Sequence, residues 1–369
     1  MKLMKTTEAV GQVLCHDITQ IIPGVKKDAV FRKGHIITKE DIPVLLSVGK
    51  ETIYIWENDE TMMHENEAAE VLYRMSACGT NSNETDGERH CEAAESGVFG
   101  GTASKMHPSP VKEGKIEVIA DCDGLLKVDS EKLKKVNSFG EMMIATRHGN
   151  TTVKKGDKLA GTRIIPLVIK KDKLEAASHI CDDGPILDIK PFVVRKAAII
   201  TTGNEVYHGR IHDAFTPVIE KKIAEFGAQM MFHEVFDDDD QKITDGCLRA
   251  IEAGAEIVFC TGGMSVDPDD KTPLAIKNTG ARIVSYGSPV LPGAMFLLSY
   301  YDAGDRLVPI CGLPGCAMYN KRTIFDIVLP RLMACDMILA DELAGLGEGG
   351  LCLNCDVCTF PNCGFGKGF

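Results

Sequence analysis

Residues 196–205 read Lys196-Ala197-Ala198-Ile199-Ile200-Thr201-Thr202-Gly203-Asn204-Glu205, and residues 256–263 repeat the grammar as Glu256-Ile257-Val258-Phe259-Cys260-Thr261-Gly262-Gly263. Each is a short apolar run that ends in Thr and Gly. Short continuous apolar runs predict strands buried on both faces. The segments around them alternate in type. Thr216–Phe226 is expected as a helix, with Thr216 as N-cap, Pro217 at its first position and Gly227 at its end. Gln229–Val235 is the next strand, and Asp239–Ala253, closed by Gly254, the next helix. Thr272–Asn278 is a third helix, Arg282–Ser285 and Val308–Cys311 are further strands, and Cys316–Ala334 reads as a long final helix. Strands alternating with helices of this length predict an α/β domain over residues 191–338, a doubly wound and mostly parallel sheet. Ligands of such sheets sit beyond the carboxyl ends of the strands.

Outward from this domain the patterning changes. Residues 1–56 read as a small β-rich unit, with apolar runs Val10–His16, Val30–Phe31 and Thr52–Trp56 and a short helix Val44–Val48 capped by Asp41. Residues 57–95 are an acidic insertion, with an amphipathic helix Glu65–Met75 and a polar loop after it. Residues 96–190 return to strands: Ile116–Ala120, Leu125–Val128, Met142–Thr146, Lys158–Thr162 and Ile164–Ile169. Residues 339–369 are a Cys-rich tail.

The charge balance, 41 Lys and Arg against 53 Asp and Glu, argues against phosphate-backbone binding, so no nucleic-acid partner is expected. No stretch approaches the length of a membrane span. The start lacks an apolar h-region. Fourteen cysteines without an export signal imply free thiols, and these features together point to the cytoplasm.

Every strand end of the 191–338 domain leads into a Gly-rich or acidic loop: Thr202-Gly203-Asn204-Glu205, Asp237-Asp238-Asp239-Asp240, Thr261-Gly262-Gly263-Met264-Ser265, Pro292-Gly293 and Gly312-Leu313-Pro314-Gly315. Glycine admits close backbone approach and offers N–H groups, and helix starts add partial positive charge. This describes an anion cradle. Glu205, Asp238 and Asp270 are oxygen ligands on the same rim, of the type that holds Mg²⁺ beside phosphate. Taken singly, a Gly-Gly after a strand is a turn and an Asp run caps a helix. The weight lies in their convergence.

In order and spacing, these loops, with the Gly209–Asp213 stretch and Asp270, resemble the molybdopterin-binding domain of the molybdopterin molybdenumtransferase family across roughly residues 195–335. The resemblance implies a homodimer that takes adenylylated molybdopterin and molybdate, inserts molybdenum and releases AMP with Mg²⁺. It implies acidic and metal-proximal roles for Glu205, Asp238 and Asp270, with Glu205 and Asp270 on the metal. It implies cofactor contacts from Thr202, Gly203, Asp213, Thr261, Gly262, Gly263, Ser265, Pro292, Gly293, Gly312, Leu313, Pro314 and Gly315. The family's Lys-Pro-Gly-Lys stands here as Leu291-Pro292-Gly293-Ala294, and its Ser-Ala-Met-Asp-Gly-Tyr-Ala stretch is not found. The alternative is a molybdopterin-binding carrier or sensor without transferase activity.

Cys352, Cys355, Cys358 and Cys363 form C-x₂-C-x₂-C-x₄-C. Four soft ligands at this spacing can close around one centre, an iron–sulfur cluster or Zn²⁺. The tail carries few apolar residues, so it is expected to be mobile until metal orders it, and dispensable for folding of residues 195–335.

Overall fold

A computed structural model describes residues 2–22, 26–55, 59–78, 105–265, 267–268 and 270–368. The polar stretch at 79–95 expected as a loop lies outside them. The chain forms two compact units, one of Met1–Asp121, Val128–Arg147 and Lys155–Asp188, the other of Cys122–Lys127, His148–Lys154 and Ile189–Phe369. The segment 96–190 is therefore shared between two units, because the strands Gly124–Val128 and Thr151–Val153 pair with each other while their flanks belong to the first unit.

The first unit carries a four-stranded antiparallel sheet, in the order Met106–Pro108, Lys115–Ala120, Lys158–Ile164, Met142–Thr146. The helix Glu65–Ala77 starts on the His64 side chain, which accepts from the Asn66 N–H, and buries Ala68, Ala69, Leu72 and Met75 on one face. Two helices went unread, Ser130–Ser138 and Lys171–Ser178, because Lys and Ser crowd their apolar positions. The run Val10–His16 forms only isolated bridges, Val13 to Ile36 and Leu14 to Ile55. Its place in the sheets is taken by Lys2–Lys5, paired with Thr52–Ile55. The helix Asp41–Ser47 has Glu40 at its N-cap position, so Asp41 is its first residue rather than its cap.

The second unit is mixed α/β. Its sheet contains β1 (Lys196–Thr202), β2 (Gln229–Phe236), β3 (Ile257–Thr261), β4 (Arg282–Tyr286), β5 (Leu297–Asp302) and β6 (Leu307–Leu313), in the order β2-β1-β3-β6-β5-β4. The three pairings among β2, β1, β3 and β6 are parallel, and those of β5 are antiparallel. Alternate residues of β1 and β3 enter two apolar clusters. Ala197, Ile199, Ile257 and Phe259 pack with α1 (Phe215–Ala224) and α4 (Ile324–Met333). Ala198, Ile200, Val258 and Cys260 pack with α2 (Asp240–Glu252) and α3 (Thr272–Asn278). The continuous apolar run is thus explained by two buried faces. β5 escaped the sequence reading because Ser299 and Asp302 interrupt it. In the fold Ser299 is buried and donates to the Ile310 carbonyl at 3.0 Å.

Two expectations are corrected here. The final helix is not continuous from Cys316. After Pro314 the chain makes a single tight turn, Gly315–Ala317, and α4 begins only at Ile324. Thr323 and Asp326 form a capping box there, with the Thr323 side chain accepting from the Phe325 N–H and Asp326 accepting from the Thr323 N–H, and this fixes the start. The tail is not a loose appendage. Phe365 is 5% exposed within the same cluster as α4, and Phe360, Cys352 and Cys363 pack against it. Gly366 lies where a Cβ would stand 2.6 Å from the Ile327 side chain, so the tail backbone runs directly over α4. Burying an aromatic ring there contributes roughly 2–3 kcal/mol toward holding the segment on the core.

Candidate functional site

The register of the parallel strands decides where the loops go. Thr202 lies beside Phe236, Thr201 beside Thr261, and Thr261 beside Leu313. Parallel strands in this register end together. Hence the loops after β1, β2, β3 and β6 leave from one edge of the sheet, the position where such folds take ligands. β5 runs the other way, with Leu297 beside Gly312, so the Pro292-Gly293 loop that precedes it reaches the same edge.

The threonines and glycines of this rim pack tightly. Thr202 Oγ1 donates to the Thr261 carbonyl at 3.2 Å and lies 3.0 Å from Thr272 Oγ1, while the Thr272 N–H donates to the Gly263 carbonyl at 3.2 Å. Gly262 has φ +84°, and a Cβ on it would stand 2.1 Å from the Thr202 carbonyl oxygen. Gly263 has φ +55° with Thr272 Oγ1 at 2.8 Å from its would-be Cβ. The turn itself requires both glycines. Gly312 makes room for Met264, and Gly293 for Ile324. Gly315 is different: nothing lies within 4 Å of its would-be Cβ. Gly203 is nearly as open, facing only Glu205 Oε2 at 3.7 Å. At the same rim two buried polar atoms, Thr261 Oγ1 and Asp237 Oδ1, have no hydrogen-bond partner among the described residues. An open edge with orphaned polar atoms suits a polar ligand.

The acidic residues are engaged locally. Asp238 accepts from the Asn204 N–H at 3.1 Å, and Asp270 accepts from the Ser265 N–H at 2.8 Å. Among the described residues no three or more His, Cys, Asp or Glu stand together to hold a metal ion. Asp213 is likewise occupied. One carboxylate oxygen accepts from the Phe215 and Thr216 N–H groups at the start of α1, and the other from the Thr201 and Thr216 hydroxyls, with His233 Nε2 at 3.6 Å. Burial alone would raise its carboxyl, but the hydrogen bonds from Thr216, Thr201 and Phe215 outweigh it and hold the pKa below the usual range. Asp213 caps α1, a role that Thr216 was expected to fill.

Residues 198–334 match the family described as "Probable molybdopterin binding domain", and residues 3–57 match a domain of unknown function. A protein named as competence-damage inducible, from Bacillus velezensis, is 29% identical over 90 residues, covering 24% of this chain and 21% of its own length. The molybdopterin molybdenumtransferase of Staphylococcus epidermidis is 27% identical over 146 residues, covering 36% of this chain and 34% of its own. Residues 198–334 belong to the molybdopterin-binding domain family. This chain spans well under half the length of the curated relatives it matches. Among solved structures, the tungsten cofactor synthesizing protein MoaB of Pyrococcus furiosus aligns with TM-score 0.30 and 18% identity, covering 38% of this chain and 88% of that one.

Within the molybdopterin-binding domain the sequence reading overlooked several rim residues. Thr272 closes the Thr202–Gly263 contact, and only its place at the start of α3 hinted at it. The Tyr286 hydroxyl donates to the Met264 carbonyl at 3.2 Å; partial burial pushes its phenol up, and the Asp270 carboxylate adds to the shift. Lys271, half-buried at the start of α3, has no carboxylate within ion-pair distance among the described residues. Lys321 and Arg322 were hidden inside the helix expected from Cys316. They instead border a cleft of about 240 Å³ that is also lined by Cys352, Cys355, Cys358 and Cys363. The Cys358 thiol is held below its ordinary value by a hydrogen bond from the Phe360 N–H, helped by the Arg322 guanidinium.

Proposed function

We propose that this chain binds molybdopterin at the carboxyl rim of β1, β3 and β6 and acts in molybdenum-cofactor biosynthesis, inserting molybdenum from molybdate into adenylylated molybdopterin with release of AMP. The observation that carries this reading is the strand register, which delivers the Thr-Gly loops of a molybdopterin-binding domain to one edge, where Gly203 and Gly315 leave open space. The ligand's phosphate would lie against the turn at Gly315 and the start of α3, with Lys271 as its cation. Backbone N–H groups fixed by the fold stabilise such an anion without reorganising. The Thr261 hydroxyl and Asp237 carboxylate oxygen supply polar partners for the pterin. The carboxylates do not form a metal cage, so no step is assigned to Mg²⁺. Assembly as a homodimer and a cytoplasmic location go with this reading, and no nucleic acid is needed. Among the described residues no helix is long and apolar enough to cross a membrane.

A specific observation favours a second reading, binding without transfer. Leu291 and Ala294, which carry no charge, flank Pro292-Gly293, and Asp238 and Asp270 each accept a loop N–H. Calorimetry with molybdopterin, run beside an AMP-release assay on adenylylated molybdopterin and molybdate, separates the two. Binding with AMP release supports the transferase. Binding alone supports the carrier. Absence of binding removes both.

A further inference from the structure

The four tail cysteines, one C-x₂-C-x₂-C-x₄-C segment, all line a single cleft of about 240 Å³, and all four are free thiols. They do not surround one point: among the described residues no three of them are close enough to hold a metal ion. Four thiolates on Zn²⁺ at about 2.3 Å would bring the sulfurs to within about 3.8 Å of one another. Their separation is not slack in the chain. The Cys352 N–H is bonded to the Leu291 carbonyl at 2.8 Å, and Lys321 Nζ donates to the Cys355 and Asp356 carbonyls at 3.4 and 3.1 Å. Gly349 passes so near Gly364 that a Cβ would stand 2.6 Å from its carbonyl oxygen, and Phe365 anchors the end in the core. Four thiols that line one cleft without three of them meeting at a point suit a polynuclear centre, whose metal atoms hold their thiolates apart, better than a single ion.

We propose that this cleft holds a four-iron, four-sulfide cluster ligated by Cys352, Cys355, Cys358 and Cys363. The two-residue spacings of the first three cysteines are those of cubane-binding segments. Each thiol loses its proton on ligation, so the ligated cluster carries net negative charge. Lys321 and Arg322 border the same cleft and offset that charge, and Arg322 is held over the Phe360 ring at 5.1 Å. Through Cys352 the cluster is one hydrogen bond from the loop at Leu291-Pro292-Gly293. The proposal stands on the tail alone and does not depend on the molybdopterin reading.

The test is anaerobic reconstitution of the full chain with ferrous iron and sulfide, followed by desalting and metal analysis. About four irons and about four sulfides per chain, with a broad sulfide-to-iron absorption that dithionite bleaches, are expected. Cys355 and Cys358 are exposed, so the double variant Cys355→Ser/Cys358→Ser should keep its circular dichroism and melting temperature while iron falls to background. Cys335→Ser, an exposed thiol outside the cleft, should keep the full load. One zinc per chain without iron, or equal iron uptake by the double variant and the parent, overturns the proposal.

Discussion

The Leu291 carbonyl oxygen accepts a hydrogen bond from the Cys352 N–H at 2.8 Å, and the Leu291 N–H donates to the Gly350 carbonyl at the same distance. The loop that stands in place of the family's Lys-Pro-Gly-Lys is therefore paired with the cysteine tail, through a parallel bridge between Leu291 and Leu351.

The tail is part of the second unit's core, so removing it should cost stability. Phe365→Ala should lower the unfolding free energy by roughly 3–5 kcal/mol. Urea denaturation of the metal-free protein measures it. A change under about 1 kcal/mol would return the tail to the status of a loose appendage.

The rim glycines should separate into two classes. Gly262→Ala meets the Thr202 backbone and Gly263→Ala meets Thr272, both at positive φ, so each should destabilise the domain by more than about 1 kcal/mol. Gly315→Val has open space and should leave the melting temperature nearly unchanged while weakening molybdopterin binding. Unaltered affinity of a well-folded Gly315→Val chain would count against a ligand at that turn.

Asp270→Asn retains an oxygen that can accept from the Ser265 N–H, so the loop should keep its shape. Any change in AMP release or molybdopterin affinity then reports the charge alone. If Asp270→Ala and Asp270→Asn behave alike in binding and differ only in stability, the residue is a loop clasp.

Asp336 sits 5% exposed among Lys127, Lys190 and Arg331. Burial raises its carboxyl, but hydrogen bonds from Lys190 and Lys127 and the Arg331 charge bring it down to about 2 from an ordinary 3.8. Below its unfolded value the unfolded chain binds a proton that the folded chain does not, so stability should fall as pH drops from about 4 toward about 2, by roughly 2 kcal/mol from this group. Acid titration of the melting temperature should show that loss blunted in Asp336→Asn. The variant itself should be less stable at pH 7, because three cations lose their shared partner.

The chemical grammar of this protein was legible in its sequence. Apolar runs ending in Thr-Gly fixed β1 and β3, Gly227 and Gly254 fixed helix ends, and Thr272–Asn278 was read residue for residue, because these signals act within a few neighbours. The convergence of the loops also followed from β-α alternation, since parallel strands must end together. Tertiary structure alone decided which side chains meet at that rim. That Thr201 and His233 close on Asp213, and Thr272 on Gly263, depends on partners brought together by the fold. The tail shows the limit most plainly. Its cysteine spacing could be counted from the sequence. Only packing of Phe365 on α4, a contact between residues more than thirty positions apart, could fix those cysteines around a common cleft.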